Sequence, residues 1–294
     1  MNILEQLRAG RIGLGCVTFG REIPEADAFA IMDHAVKLGI RLFDTAEAYG
    51  GGESERIVGR WMQSRGARNE IVLVTKVTRN FTREHVQEAL TASLARLQTG
   101  RVDLYLCHSF DPATPPQETA HAMDSVVRAG LASAIGCSNF TGAQLEAALA
   151  ISTSHGLARF AVAENAYNLV ARDIETDLLP VTTRHEIGVL CYSPLAAGFL
   201  MGKYTPDRAQ IPKGTRFDLI PGHADVYFSE RNFATVERLK VLAARVGQPI
   251  ERLAMAWALR NPAVDNILVG ARSIAHLDNA VQALTTEFPA AVWD

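Results

Sequence analysis

The segment Asp44-Thr45-Ala46-Glu47-Ala48-Tyr49 sets an acid and a phenol five residues apart, then turns through Gly50-Gly51-Gly52. Downstream, Thr75-Lys76 lies near the end of one apolar run and Cys107-His108 closes the next. Together these four groups have the chemistry to reduce a carbonyl. A carbonyl that accepts a hydride becomes an alkoxide and needs a proton at that moment. Free tyrosine, with a pKa of ~10, is a poor acid at neutral pH, and a neighbouring ammonium is expected to lower that value. The ammonium stays charged away from water only beside a carboxylate. A neutral imidazole can donate to the carbonyl oxygen and orient it. Taken singly, Asp44 reads equally as a helix-capping acid, Lys76 as a solvated strand end and His108 as a core histidine. The set acquires meaning only in a fold that gathers it.

Such a fold is legible in the alternation of apolar runs and amphipathic stretches. The pattern predicts strands at 11–16, 41–45, 71–77, 102–108, 132–137, 160–164, 189–192 and 266–269. Helices are expected at 26–38, 53–62, 83–97, 117–129, 144–151, 174–186, 230–246, 250–259 and 274–284. The run IVLVTKV at 71–77 is β-branched and apolar throughout, as a strand covered on both faces should be. Eight strand–helix units and one extra helix fit a single (β/α)₈ barrel, a TIM barrel, spanning residues 1–294. A doubly wound open sheet is the alternative, because alternation alone does not show closure. Asp44, Lys76 and His108 then fall at neighbouring strand ends, where barrel active sites are built. Residues 195–229, after strand seven, hold four glycines and three prolines and read as a long functional loop.

Composition narrows the function. A net charge of -3 gives no general attraction to nucleic acid or anionic lipid. No apolar run reaches the ~20 residues that span a membrane. The start, MNILEQLRAGR, lacks the basic and apolar regions of a secretion signal, so a cytoplasmic location is expected. Cys16, Cys107, Cys137 and Cys191 are widely spaced and read as reduced, buried thiols. Gly13-Leu-Gly15 is followed by Thr18 and is not a Rossmann fingerprint. There is no G-x-S-x-G elbow, no phosphate-binding G-x-x-x-x-G-K loop and no H-x-x-x-H pairing, so no metal is expected.

Asp-Thr-Ala-x-x-Tyr-Gly, the later Thr-Lys and the strand-four histidine resemble the tetrad of the aldo-keto reductase superfamily. The likeness runs from Gly13-Leu-Gly15 through Gly136-Cys-Ser-Asn-Phe140 and Tyr192-Ser-Pro-Leu-Ala-Ala-Gly198 to Gly270-Ala-Arg-Ser273. Within the superfamily it resembles most the bacterial reductases related to potassium-channel β subunits. The resemblance implies that Tyr49 is the proton donor, tuned by Lys76 and Asp44, and that His108 positions a small-molecule carbonyl or alcohol substrate. It implies NADP as cofactor, with NAD use also open. Ser138 and Asn139 would bind the carboxamide, Tyr192 would stack on the nicotinamide, and Ser193 and Gly270 fall in the same contact segments. Leu195, Gly198, Leu200, Gly202 and Lys203 would wrap the pyrophosphate, Lys203 and Arg216 would reach the adenosine phosphate, and Arg272 would bind a 2′-phosphate in a fork geometry. His276 and Asn279 replace residues usual at the C-terminal fingerprint. Glu164 stands where most members have glutamine; its carboxylate can accept from the carboxamide but cannot donate as an amide does. Val17, Phe19 and Phe110 are expected to bound the substrate pocket. The rival implied by the channel-related branch is a cofactor-binding regulatory subunit with slow turnover.

Overall fold

A computed structural model describes residues 1–293. Eight parallel strands close into one barrel in sequential order: β1 (Ile12–Gly15), β2 (Leu42–Asp44), β3 (Val72–Val77), β4 (Val102–Cys107), β5 (Ala132–Ser138), β6 (Phe160–Ala166), β7 (Gly188–Tyr192) and β8 (Asn266–Gly270), with β8 pairing back onto β1. The open-sheet alternative is thereby excluded. Helices α2 (Glu25–Lys37), α3 (Glu53–Arg65), α4 (Arg83–Leu97), α5 (Pro116–Arg128), α6 (Gly142–His155), α7 (Leu179–Arg184), α11 (Ile250–Arg260) and α12 (Ile274–Thr285) surround it.

Side chains alternate between the two faces of each strand. Leu42, Val72, Val74, Leu104, Leu106, Val162, Leu190 and Leu268 pack together inside the barrel. Their neighbours Phe43, Leu73, Val77, Tyr105, Cys107, Ala163 and Cys191 pack outward beneath the helices. This parity carries to the C-terminal strand ends. Asp44, Lys76, Ser138, Glu164 and Tyr192 each follow an inward residue by two or four positions, so all share the interior face at one mouth. The other mouth is closed by α1 (Ile3–Gln6), whose Leu4 joins the interior cluster and sits against Gly188. This four-residue helix is too short to show a period. It is fixed by a capping box in which Asn2 accepts from the Glu5 backbone and Glu5 accepts from that of Asn2.

Two expectations need correction. The span 174–186 is not one helix but a 3₁₀ turn, Asp173–Glu175, followed by α7, because Pro180 suits only the start of a helix. Residues 195–229 are not irregular. They form a 3₁₀ stretch at Ala196–Met201, a further turn at Arg208–Gln210 and two short helices, α8 (Arg216–Leu219) and α9 (His223–Tyr227). Phe199, Tyr204, Phe217 and Tyr227 build a second small core there, against α10 (Glu230–Val246) and α11. The extra helix of the sequence reading is α10.

Interior space is tight where β5 meets β4 and β6. A β-carbon at Gly136 would lie 2.3 Å from the Val162 carbonyl oxygen and 2.8 Å from Leu106 Cδ2, at the position where the β5–β6 register shifts. Gly136→Ala should therefore cost about 1–3 kcal/mol through overpacking. Denaturant unfolding should show a lowered midpoint, and an unchanged midpoint would show that the barrel yields there without cost.

Candidate active site

Lys76 is the structural centre of the mouth. Its side chain is fully buried, and its Nζ donates to Asp44 Oδ1, to the Thr45 carbonyl at 3.1 Å and to Tyr49 Oη at 3.3 Å. The Glu164 Oε1 atom lies 3.4 Å away. Burial alone would strip the ammonium of its proton, but its neighbours, the Asp44 charge and hydrogen bond first among them, hold its pKa well above the ordinary lysine value. Asp44 is itself pushed upward by burial, with Lys76 opposing.

Tyr49 begins the 3₁₀ turn Tyr49–Gly52, in which Gly50 and Gly51 adopt φ of 59° and 62°. These left-handed residues let the chain reverse from β2 into α3 within the eight residues 45–52, which returns the phenol over Lys76. The His108 ring meets the Tyr49 ring edge-on, with centroids 5.6 Å apart. Burial, and then the Lys76 charge, lower the imidazole pKa to about 4, so it is neutral at physiological pH. The phenol departs from expectation. Burial raises its pKa and outweighs the lowering by Lys76, while Asp44 and Glu164 raise it further. Tyr49 is thus a phenol that keeps its proton at neutral pH.

A second layer was not legible as functional residues. Thr75, one residue before Lys76, points outward and donates to Glu55 Oε1 at 2.6 Å. Glu55 is completely buried on α3 and also accepts from Arg96 Nε of α4 at 2.5 Å. Thr45 and Ser54 share a 2.8 Å hydrogen bond, and Ser54 donates to the Cys16 carbonyl. These contacts lock α3 and the Tyr49 turn to β1 and β3. Only the acidic and basic residue types facing across two helices hinted at them.

Around the mouth, Asn139 follows β5 with φ of 59° and donates to the His108 carbonyl at 2.9 Å and to Ser138 Oγ at 3.0 Å. The Tyr192 hydroxyl donates to Asn139 Oδ1 at 2.7 Å. Ser193 has a left-handed backbone, with φ of 54°, and its carbonyl accepts from Asn168. Ala197, Gly198 and Gly202 continue with positive φ, forming a curled backbone beside the mouth. Gly270 ends β8 and is exposed. Further out, burial and then the nearby Arg272 charge lower the pKa of Lys203, and burial, Arg272 and Lys203 lower that of His276. Arg272 donates to the Gly214 carbonyl at 3.1 Å, and its backbone N–H donates to His276 Nδ1. Arg216 pairs with Glu22 of the loop after β1. Asn279 accepts from Arg252 at 3.3 Å and lies behind this cluster.

Three expected residues do not meet their assigned surfaces. Phe19 is fully enclosed in the core, because its loop folds back through the Phe19–Ile23 bridge, and it does not bound a pocket. Leu200 is likewise buried, its N–H already donating to the Leu195 carbonyl, so it anchors the curl and presents no free donor. Glu164 turns toward Lys76, only 2% exposed, instead of lying open at the mouth. Val17 is half-buried, and Phe110 is half-buried with its ring edge-on to Phe140.

Residues 11–294 match the aldo/keto reductase family. The chain is 33% identical to "Uncharacterized oxidoreductase YrpG" of Bacillus subtilis (strain 168), over 95% of this chain and 88% of the relative. It is 32% identical to "Probable voltage-gated potassium channel subunit beta" of Oryza sativa subsp. japonica, over the same two shares. It is 33% identical to "Aldo-keto reductase YhdN" of Bacillus subtilis (strain 168), over 92% of this chain and 84% of the relative.

The second layer has a measurable consequence. Arg96→Ala would leave the Glu55 carboxylate buried without its cation, an arrangement that typically costs on the order of 3 kcal/mol. The variant should unfold at clearly lower denaturant, whereas a loss below about 0.5 kcal/mol would show that Thr75 alone satisfies Glu55.

Proposed function

The chain belongs to the aldo/keto reductase family of oxidoreductases, and from that premise we propose that it reduces aldehydes or ketones to alcohols with NADPH, Tyr49 serving as the acid. The contact between a buried, charged Lys76 and the Tyr49 hydroxyl at 3.3 Å is the observation that carries this reading. Family members generally use NADP(H). The residues present suit that coenzyme: Asn139 is held left-handed at the mouth, a curled backbone follows β7, and Lys203, Arg216 and Arg272 form a cationic cluster beyond it. Ser138, Asn139 and Tyr192 would hold the nicotinamide end, and the cationic cluster would hold the phosphates through charge-assisted hydrogen bonds.

When bound, the reduced nicotinamide supplies a hydride to the carbonyl carbon. The chain's own residues do the rest. His108, neutral at physiological pH, donates to the carbonyl oxygen and fixes its position before reaction. Tyr49 keeps its proton until an alkoxide, a far stronger base than water, develops beside it. Lys76 then stabilises the phenolate as the proton leaves, and Asp44 keeps Lys76 charged throughout. The enclosed setting strengthens each of these interactions, because little water screens them. Val17 and Phe110 stand at the substrate side, half-buried.

Tyr49→Phe should lower kcat by about 10²–10⁴-fold, the usual contribution of a positioned acid, while NADPH affinity measured by fluorescence titration stays within about threefold. Wild-type turnover in the variant would remove the phenol from the mechanism. A regulatory subunit, the rival reading suggested by the name of the Oryza sativa relative, would show tight NADPH binding with marginal turnover in the unaltered protein across a panel of aldehydes. Coenzyme choice is open to a separate test. Arg272→Ala should weaken NADPH about 10–100-fold, the worth of a charge-assisted hydrogen bond, and leave NADH affinity nearly unchanged. Equal weakening of both would assign Arg272 to a part that the two coenzymes share.

A further inference from the structure

The interior face of β6 contributes a group that the reduction just described does not use. Glu164 is 2% exposed, with Oε1 3.4 Å from Lys76 Nζ and Oε2 sealed from water with no hydrogen-bond partner among the described residues. Asp44, 3% exposed, already takes the direct hydrogen bond from that ammonium. If both carboxyls were ionised, this enclosed cluster would hold two negative charges against one positive. The surplus charge would sit on an oxygen that nothing solvates. Buried charges are retained only when paired and hydrogen-bonded, and otherwise the group takes up a proton.

Among the described residues, the titratable groups that face Glu164 in the interior are Lys76, Asp44, Tyr49 and Tyr192, and its charge also reaches the outward Cys137 and Cys191. Lys76 is the sole cation among them, and Asp44 claims it first. The two carboxyls also lie close enough to act on each other's protons. Asp44 therefore keeps the charge, and Glu164 is the member that can give it up most readily.

We propose that Glu164 is a neutral carboxylic acid at neutral pH, a positioning residue that holds the second proton of the Lys76–Asp44 cluster and thereby sets the charge felt by the nicotinamide. As an acid it has both a donor and an acceptor, as the amide of glutamine does, so the replacement of glutamine by Glu164 preserves the pattern at neutral pH. Burial, then the Asp44 charge, push its pKa up to about 8. Above that pH the cluster gains a negative charge, which favours the oxidised, cationic nicotinamide over the reduced, uncharged one. The coenzyme clause rests on the function proposed above, whereas the protonation clause does not.

The linkage has a defined sign. The unfolded chain loses this proton near the ordinary glutamate value of about 4.3, while the folded chain keeps it to about 8. The folded state thus binds more protons across that window, so this group makes stability fall as pH rises through it, and the loss is constant above it. Gln at this position carries no such penalty. The coenzyme-free Glu164→Gln protein should therefore gain several degrees of thermal midpoint over wild type as pH rises from 5 to 8. A difference that does not change with pH overturns the proposal. Should the variant fail to fold, infrared spectroscopy of the wild type with ¹³C-labelled glutamate decides instead. A protonated carboxyl stretch that shifts with the label at pH 7 and fades above pH 9 is expected, and its absence at pH 7 overturns the proposal. In fluorescence titrations, NADP⁺ affinity relative to NADPH should rise severalfold from pH 7 to pH 9 in wild type and stay flat in Glu164→Gln. A ratio that climbs equally in both removes Glu164 from coenzyme selection. If neither coenzyme binds, the proposed function fails, while the midpoint and infrared results still judge the protonation of Glu164.

Discussion

A fully buried ammonium is the constraint around which the mouth of this barrel is organised. Moving an ion of that size out of water costs several kcal/mol even after relaxation, so Lys76 exists as a cation only because Asp44, the Thr45 carbonyl and the Tyr49 hydroxyl surround its Nζ. Asp44 ends β2, and Thr45 and Tyr49 come from the connection that leads from it to α3. The requirement therefore fixes the pairing of β2 with β3, the turn that follows and the angle at which α3 leaves it. The left-handed glycines of that turn and the Glu55–Arg96 pair behind it are consequences of returning one phenol to one ammonium.

The barrel supplies the rest by parity. A strand turns every second residue inward, so the same alternation that sends Val72 and Val74 into the interior core delivers Lys76 to its upper layer. Glu164 follows Val162, and Tyr192 follows Leu190, by the same rule. Stability and chemistry are thus layers of one column, with apolar residues below, charged residues at the rim and α1 as the floor. The segment after β7 adds a small aromatic core of its own, which gives the curled backbone beside the mouth a rigid base.

Much of this was legible in the sequence because the relevant signals are local. The apolar runs located all eight strands to within a residue or two at most ends, and the strand-end positions of Asp44, Lys76 and His108 followed directly. What stayed hidden depends on tertiary contact. The aromatics of residues 195–229 pack against α10 and α11, so spacing within the segment showed only its glycines and prolines. Phe19 looked like a rim residue until its loop folded inward. Tyr49 was expected to be acidified by Lys76, but the extent of burial, which no sequence spacing reveals, reverses the net effect. Glu164 was read as a coenzyme contact alone, because its inward parity toward Lys76 emerges only when β3 and β6 face each other across a closed barrel.

The central claim is that Lys76 remains an ammonium beside a protonated Tyr49, and ¹⁵N NMR of the Lys76 side chain reads that state directly. With Lys76→Met used to assign the signal, the Nζ resonance should stay in the ammonium range from pH 6 to beyond pH 11, past the ordinary lysine midpoint of 10.5. A resonance that moves to the neutral-amine range at or below pH 8 would contradict it, leaving Tyr49 without a cation to receive its negative charge and Asp44 without a partner.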